Sequence, residues 1–170
     1  FMATMDQLDP AHCVDRGINL ETITAFQNLN PILTSPAARG LSQVTAARSD
    51  LSGSMDLPAD HDRVLEVCAV MIARCREYDL KTSVGGNIHR GILAEIIRQI
   101  RPVTVNPRHM VVDSQTLIHE PELIDAHLEF ECALCRYLGP RYPQKEEIYI
   151  RRAETLERRL RSPSLLPNPS

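Results

Sequence analysis

The sequence contains few aromatic residues: its 170 residues include three Phe, four Tyr and no Trp. A hydrophobic core must therefore be built from aliphatic side chains, and the 43% share of hydrophobic residues is ordinary for a folded domain. An excess of positive charge is also absent, since 19 basic residues stand against 22 acidic ones and give a net charge of −3. Strongly basic surfaces bind nucleic-acid phosphates, so we expect no nucleic-acid partner.

Long hydrophobic runs are missing as well. No stretch approaches the ~20 apolar residues that span a bilayer, and no basic segment followed by an apolar one stands at the N-terminus. The five cysteines are an odd number, which favours reduced thiols over a disulfide framework. We therefore expect a cytoplasmic protein with no membrane partner.

Strands and helices are predicted to alternate along most of the chain. This alternation is typical of βαβ units, and hence of an α/β fold with a parallel sheet. Residues 1–16 have no clear period, 52–62 are predicted to form a loop, and the Pro-rich residues 162–170 a loose tail. The hydrophobic pattern predicts strands over 17–22, 41–47, 80–84 and 103–105, and helices over 22–33, 62–78, 89–100, 120–138 and 144–161.

Polar residues and glycines stand where the predicted strands end. The four strands are followed by Glu21, by Asp50, by Gly85 and Gly86, and by Arg108. The carboxyl ends of parallel strands meet at one edge of a sheet, so we expect these residues to converge there. Two carboxylates suit a hard divalent cation such as Mg²⁺, although on spacing alone solvated surface charges are the better explanation of the pair.

Four sequence motifs at and near this edge resemble those of a known protein family. They are GINLETITA (17–25), ARSDLSGSM (47–55), LKTSVGG (80–86) and RHMVV (108–112). In this order they resemble the segments of the fifth to eighth barrel strands in the HpcH/HpaI aldolase and citrate lyase β-subunit family. The resemblance extends over roughly residues 17–160. Two positions depart from the family pattern, since Ala47 stands where Gly is usual, and Asn106-Pro107 replaces Glu-Thr.

The resemblance implies a partial (β/α)8 TIM barrel. Residues 17–119 would hold about four C-terminal βα units, and residues 120–161 would form a C-terminal helical extension. Barrels of this type need ~250 residues, so the resemblance implies that an amino-terminal half precedes this sequence and that Phe1, before Met2, marks a truncation. The family's substrate-binding Arg and its basic His come from those earlier strands.

The resemblance also implies a function. The chain would act as a metal-dependent carbon–carbon lyase of the aldolase or citrate lyase type, on a 2-oxo acid or acyl-CoA, through a metal-stabilised enolate. Glu21 and Asp50 would ligate Mg²⁺ or Mn²⁺, and Arg48 would be catalytic, with an ion pair to a barrel carboxylate as an equal alternative. The implied substrate-binding residues are Asp50, Leu51, Ser52, Gly85 and Gly86.

Each of these residues also has a purely structural interpretation. Ser52 can serve as a cap, and the two glycines as an ordinary turn. Cys132 and Cys135 are expected to be buried core residues rather than metal ligands, and the arginines of 151–161 to form a solvated, salt-bridged face. His89 is the histidine placed nearest the expected edge. The alternative function is a non-catalytic half-barrel that works by assembling with another chain, as a homo-oligomer or with a missing barrel half.

Overall fold

A single five-stranded sheet forms the centre of the molecule in the computed structural model, which describes residues 15–161. Strands β1 to β4 lie side by side in chain order and pair in parallel, and β5 pairs antiparallel with β4. The predicted α/β class and the parallel pairing of the four predicted strands are therefore confirmed. The strands are β1 (Gly17–Leu20), β2 (Gln43–Ala47), β3 (Lys81–Gly85), β4 (Thr104–Asn106) and β5 (Val112–Asp113).

Helices connect the strands and extend the chain beyond them. A π-helical segment, Ile96–Ile100, directly continues α5, and 3-10 turns occupy Pro36–Gly40, Gly139–Arg141 and Pro143–Lys145. The predicted segments 1–16 and 162–170 lie outside the described residues, except for the last two residues of the first. The α-helices are α1 (Ile23–Gln27), α2 (Leu29–Thr34), α3 (Arg48–Ser54), α4 (Asp62–Arg76), α5 (Arg90–Glu95), α6 (Ser114–His119), α7 (Glu122–Leu138) and α8 (Glu146–Leu160).

The prediction of one helix over 22–33 is wrong, because α1 and α2 are separate helices that meet at Asn28. In a continuous helix Pro31 would lie in the interior, where its ring has no N–H to donate and collides with the carbonyl four residues earlier. The break places Pro31 in the first turn of α2, where neither penalty applies. The Asn28 amide donates a hydrogen bond to Thr24 O at 2.8 Å and closes the end of α1.

The segment after β2 also differs from its prediction. Residues 52–54 were predicted to lie in a loop, but they complete helix α3, which begins at Arg48 directly after the strand. Strand β5 and helix α6 were not predicted. Two residues of strand are too few for a periodic signal, although Asp113 is a recognisable N-cap that accepts a hydrogen bond from Gln115 N at 2.8 Å.

The core lies where the sheet packs against α4 and the helix pair of α5 and its π-helical continuation. Strand residues such as Val44, Ala46, Val84 and Val105 are fully buried. Complete burial of one aliphatic side chain stabilises a fold by roughly 1.5–3 kcal/mol, so this aliphatic core compensates for the scarcity of aromatic residues. The predicted buried face of α4 is confirmed, and its members are Val64, Val67, Cys68, Met71, Ile72 and Cys75.

Helices α7 and α8 form the predicted C-terminal helical extension and pack against each other. Cys132 and Cys135 lie in the buried interface between them with Ala153 and Leu156, as expected for core cysteines. Across residues 15–161, no helix is both long and apolar enough to cross a membrane.

Candidate functional site

A cleft of about 390 Å³ lies at the carboxyl ends of β2, β3 and β4. One wall is formed by the residues that follow these strands, at 49–50, 86–88 and 106–108. The other wall is formed by side chains of the helical extension, which are His127, Leu128 and Glu131 of α7 and Arg152 and Arg159 of α8. This is the edge of a parallel sheet at which ligands bind in open α/β folds.

Gly86 joins two elements of the first wall. Its φ of +86° suits glycine, and a Cβ atom at this position would lie 2.5 Å from Ser49 N and 2.8 Å from Ser49 Oγ. Gly86 therefore permits the turn after β3 to pack directly against the first turn of α3. Gly85 is buried in the sheet, where an added Cβ would lie 3.3 Å from Asn106 O. Gly86 lines the cleft and Gly85 does not.

The two carboxylates predicted as metal ligands follow neighbouring strands at this edge. Asp50 is exposed in the first turn of α3 and lines the cleft, whereas the half-buried Glu21 follows β1 and lies outside the lining. The two segments are held together, because Ile23 N donates a hydrogen bond to Ser54 Oγ at 2.8 Å. Asn19 Nδ2 donates to Glu21 Oε1 at 3.0 Å. Among the described residues, neither carboxylate forms an ion pair.

The other residues predicted on α3 turn towards the interior. Arg48 and Leu51 are fully buried, and Ser52 is buried with its Oγ donating a hydrogen bond to Ser49 O at 2.8 Å. None of the three lines the cleft. Their packing fixes the orientation of α3, and so determines where Asp50 lies.

Arg48 is part of a partly buried network that we call the Asp60 cluster, formed by Arg48, Asp60, Asn87 and His89. Arg48 Nη2 forms a close ion pair with Asp60 Oδ1 and donates to Ala59 O at 3.0 Å. Asn87 Nδ2 lies 3.0 Å from each oxygen of Asp60, and His89 Nε2 lies 3.0 Å from Asp60 Oδ2. Because Asn87 also lines the cleft, its hydrogen bonds with Asp60 connect the Asp60 cluster to the strand wall of the cleft.

Opposing effects act on the pKa values in the Asp60 cluster. Burial alone would raise the pKa of the Asp60 carboxyl group, but the hydrogen bond from His89, the charge of Arg48 and the hydrogen bond from Asn87 together lower it below its ordinary value. Burial lowers the pKa of the Arg48 guanidinium, and the charge of Asp60 opposes that effect. Within residues 15–161, Arg48 Nε and Nη1 and His89 Nδ1 are buried without a hydrogen-bond partner, so Asp60 is the main source of compensation for the buried charge.

The opposite wall is organised by a buried carboxylate, Glu131, whose side chain is 3% exposed. Arg152 binds it with two parallel hydrogen bonds, Nε to Oε1 at 2.8 Å and Nη2 to Oε2 at 3.0 Å. Arg108 Nε lies 3.7 Å from Oε1, His109 Nε2 3.8 Å from Oε1 and His127 Nε2 3.8 Å from Oε2. One carboxylate thus holds α7, α8 and the end of β4 in a fixed arrangement.

His127 contributes an uncharged ring to this wall. Burial lowers the pKa of its imidazole, the nearby Glu131 carboxylate opposes the shift, and the neighbouring His109 and Arg152 reinforce it. A pKa below the ordinary value leaves the ring neutral at pH 7. The positive charges that line the cleft are therefore the guanidinium groups of Arg108, Arg152 and Arg159.

The helical extension supplies functional candidates that the sequence prediction missed. The arginines of 151–161 were expected to form a solvated face, and this is correct for Arg151, which is exposed and pairs with Glu147. It is wrong for Arg152 and Arg159, which face the cleft. The two arginines are seven residues apart and lie on the same helix face as the buried Leu156. This spacing is the sequence feature that predicts that both arginines face the interior.

The candidate cation ligands at this edge are the carboxylates of Glu21 and Asp50. Within the part of the chain that the structure describes, no group of three or more His, Cys, Asp or Glu side chains is arranged to hold a metal. A cation bound by Glu21 and Asp50 would therefore keep its other coordination positions for water and ligand, which is how Mg²⁺ is commonly bound. No family model, curated protein or solved structure matches the chain significantly.

Proposed function

We propose that the chain carries the metal-binding edge of a carbon–carbon lyase of the aldolase or citrate lyase type, acting on a 2-oxo acid or CoA thioester. One observation carries the proposal: Glu21 and Asp50 follow adjacent parallel strands, have no cation partner among the described residues, and stand at the edge that also forms the cleft. Three of the four motifs that resemble one family supply β1, β2 with α3, and β3 in the family's order, and the fourth, at 108–112, follows β4.

The barrel assignment belongs to the same proposal. Strands β1 to β4 are parallel neighbours in chain order, the arrangement expected of four successive strands of a (β/α)8 barrel. The strand β5 pairs with β4 over two residues, on the side where a further barrel strand would join. We propose that the chain is the carboxyl-terminal part of such a barrel and that it works in the cytoplasm, where the four free cysteines of the described residues would stay reduced.

The residues fit a hard divalent cation, because both candidate ligands are carboxylates that no arginine or lysine within residues 15–161 neutralises. Glu21 and Asp50 would hold Mg²⁺ or Mn²⁺, which when bound supplies Lewis-acid polarisation of a substrate carbonyl. The chain's own groups attract and orient the substrate: the guanidinium groups of the cleft attract its carboxylate, and side chains of α7 and α8 form one wall of the cleft. Arg48, which is fully buried, acts as a positioning residue through Asp60.

A titration with Mn²⁺ tests the metal assignment. Binding is measured by calorimetry for the wild-type chain, for the Glu21→Ala, Asp50→Ala double variant, and for Glu154→Ala, an exposed carboxylate on α8, as a matched control. We expect the double variant to bind Mn²⁺ at least about tenfold more weakly than the other two, since a site with two protein ligands loses both. Equal, weak binding by all three proteins would refute the assignment.

One observation favours a second function. The chain would be a non-catalytic half-barrel that acts by assembly with a second copy or with a missing barrel half. Strand β1 is an edge strand, and among the described residues its outer side is unpaired. Exposed edges invite pairing with another chain. Size-exclusion chromatography with light scattering separates the two cases, because an obligatory assembly excludes a well-behaved monomer.

A further inference from the structure

The guanidinium groups of the cleft differ in how far they are neutralised. Arg152 is fully engaged in its two hydrogen bonds with the buried Glu131. Arg108 lies at a longer distance from the same carboxylate, 3.7 Å, and its side chain is 61% exposed. Arg159 forms neither a hydrogen bond nor an ion pair through its side chain within residues 15–161. Glu131 is thus shared between Arg152 and Arg108, and Arg159 has no carboxylate within ion-pair distance among the described residues.

Arg159 stands in a place where positive charge is unfavourable without an anion. Burial lowers the pKa of its guanidinium, and the positive charges of Arg152 and Arg48 lower it further, while Glu131 and Asp60 partly compensate. A guanidinium keeps its charge under these conditions, so the unfavourable interaction stays until an anion is bound. The side chain lines the cleft, where a ligand can reach it.

We propose that Arg159 and Arg108 form an anion-binding subsite for a carboxylate or phosphate group of a small ligand. Arg152 takes part as a positioning residue, because its carboxylate partner Glu131 fixes it beside the other two. The planar fork of an arginine matches two oxygens of either anion, so both groups fit the same geometry. We call this end of the cleft the arginine subsite.

The arginine subsite narrows the class of substrate that the proposed function allows. This step rests on the proposed function in one respect, namely that the bound anion belongs to a substrate. Asp50 and Arg108 lie on the strand wall of the cleft and Arg159 lies on the helical wall, so one ligand can reach Asp50 and both arginines. A 2-oxo acid that carries a second carboxylate or a phosphate group meets this requirement. The cleft volume of about 390 Å³ is at the lower end of the range for small-molecule sites, which favours a compact ligand.

Direct binding of two probe anions tests the arginine subsite without metal or turnover. Calorimetric titrations with inorganic phosphate and with malonate are made on the full chain at low ionic strength with EDTA present. The variants are Arg159→Gln, Arg159→Lys and, as a matched control on the same helix, the exposed Arg151→Gln. We expect Arg159→Gln to weaken binding about tenfold or more, as for loss of a charged hydrogen bond, Arg159→Lys to weaken it less, and the control to equal the wild type.

The outcomes of the titrations either support or overturn the arginine subsite. Tighter binding of phosphate identifies a phosphorylated ligand, and tighter binding of malonate a dicarboxylic one; both support the subsite. Absence of binding to the wild type, or equal binding by wild type and Arg159→Gln, would overturn it. Thermal unfolding of each variant verifies that it is folded. Because EDTA removes divalent cations, failure of the metal proposal leaves these titrations unchanged, and the two proposals fail separately.

Discussion

Replacement of Asp60 by Asn is expected to destabilise the fold strongly for a single substitution on a loop. Asp60 is the carboxylate that compensates the Arg48 guanidinium, whose side chain is 0% exposed, and it also accepts hydrogen bonds from Asn87 and His89. Removal of one partner of a buried ion pair costs roughly 3–5 kcal/mol. Asp60 itself is 36% exposed, so water offsets part of this loss, and we expect about 2–3 kcal/mol.

Thermal and urea unfolding measure this effect. In a chain of this length 1 kcal/mol shifts the melting temperature by about 2–4 °C, so the Asp60→Asn variant should melt about 4–12 °C below the wild type. The control is Glu66→Gln, which removes an exposed ion pair with Arg63 and should change the unfolding free energy by less than about 1 kcal/mol. The double variant Arg48→Met, Asp60→Asn should regain part of the loss, because it no longer buries an uncompensated charge.

The same ion pair makes stability depend on pH with a defined sign. The pKa of Asp60 is lower in the folded chain than in the unfolded one, so its contribution is fully present above the unfolded pKa, near 4, and is lost as the pH falls through the folded pKa. The difference in unfolding free energy between wild type and Asp60→Asn should therefore shrink in acid. An unfolding free energy of Asp60→Asn within about 0.5 kcal/mol of the wild-type value at pH 7 would refute the role of Asp60 as the compensating charge.

Two further predictions concern backbone fit and thiol reactivity. Gly86→Ala should lower the unfolding free energy by roughly 1–3 kcal/mol, because Gly86 has a positive φ and its added Cβ would meet Ser49 N, whereas Gly53→Ala, with open space around it, should not destabilise the chain. Burial raises the pKa of Cys68 to about 12 and that of Cys75 to about 11. Both should resist alkylation by iodoacetamide at pH 8 in the native state and react after denaturation, as mapped by mass spectrometry; rapid native labelling would contradict their burial.

The fold was predictable from the sequence wherever hydrophobic periodicity was long enough. The buried face of α4 repeats at helical spacing over about three turns. The strands are short apolar runs between helices, so their parallel pairing followed from their alternation. The failures are local. The apolar spacing predicts a helix that continues past Pro31, but the proline interrupts it. The strand β5 has only two residues, which is too short to show a hydrophobic period.

The candidate site was predictable on one wall only. Glu21, Asp50 and Gly86 follow strands, and strand ends converge in any parallel sheet. Arg152 and Arg159 reach the cleft because α8 folds back over the carboxyl edge, a long-range arrangement that local sequence does not encode. The pairing of Arg48 with Asp60 likewise joins residues twelve positions apart, across helix α3 and the loop that follows it.

Binding of a 2-oxo acid with and without a divalent cation tests the central claim most directly. Pyruvate is titrated into the full chain in the presence of Mn²⁺ and in the presence of EDTA, by calorimetry and by water-proton relaxation, and acetyl-CoA is titrated in parallel. Our account predicts that one of these probes binds only when Mn²⁺ is present and displaces water from it, as expected when metal and substrate share one site. Equal affinity with Mn²⁺ and with EDTA, or no binding of either probe, would contradict it.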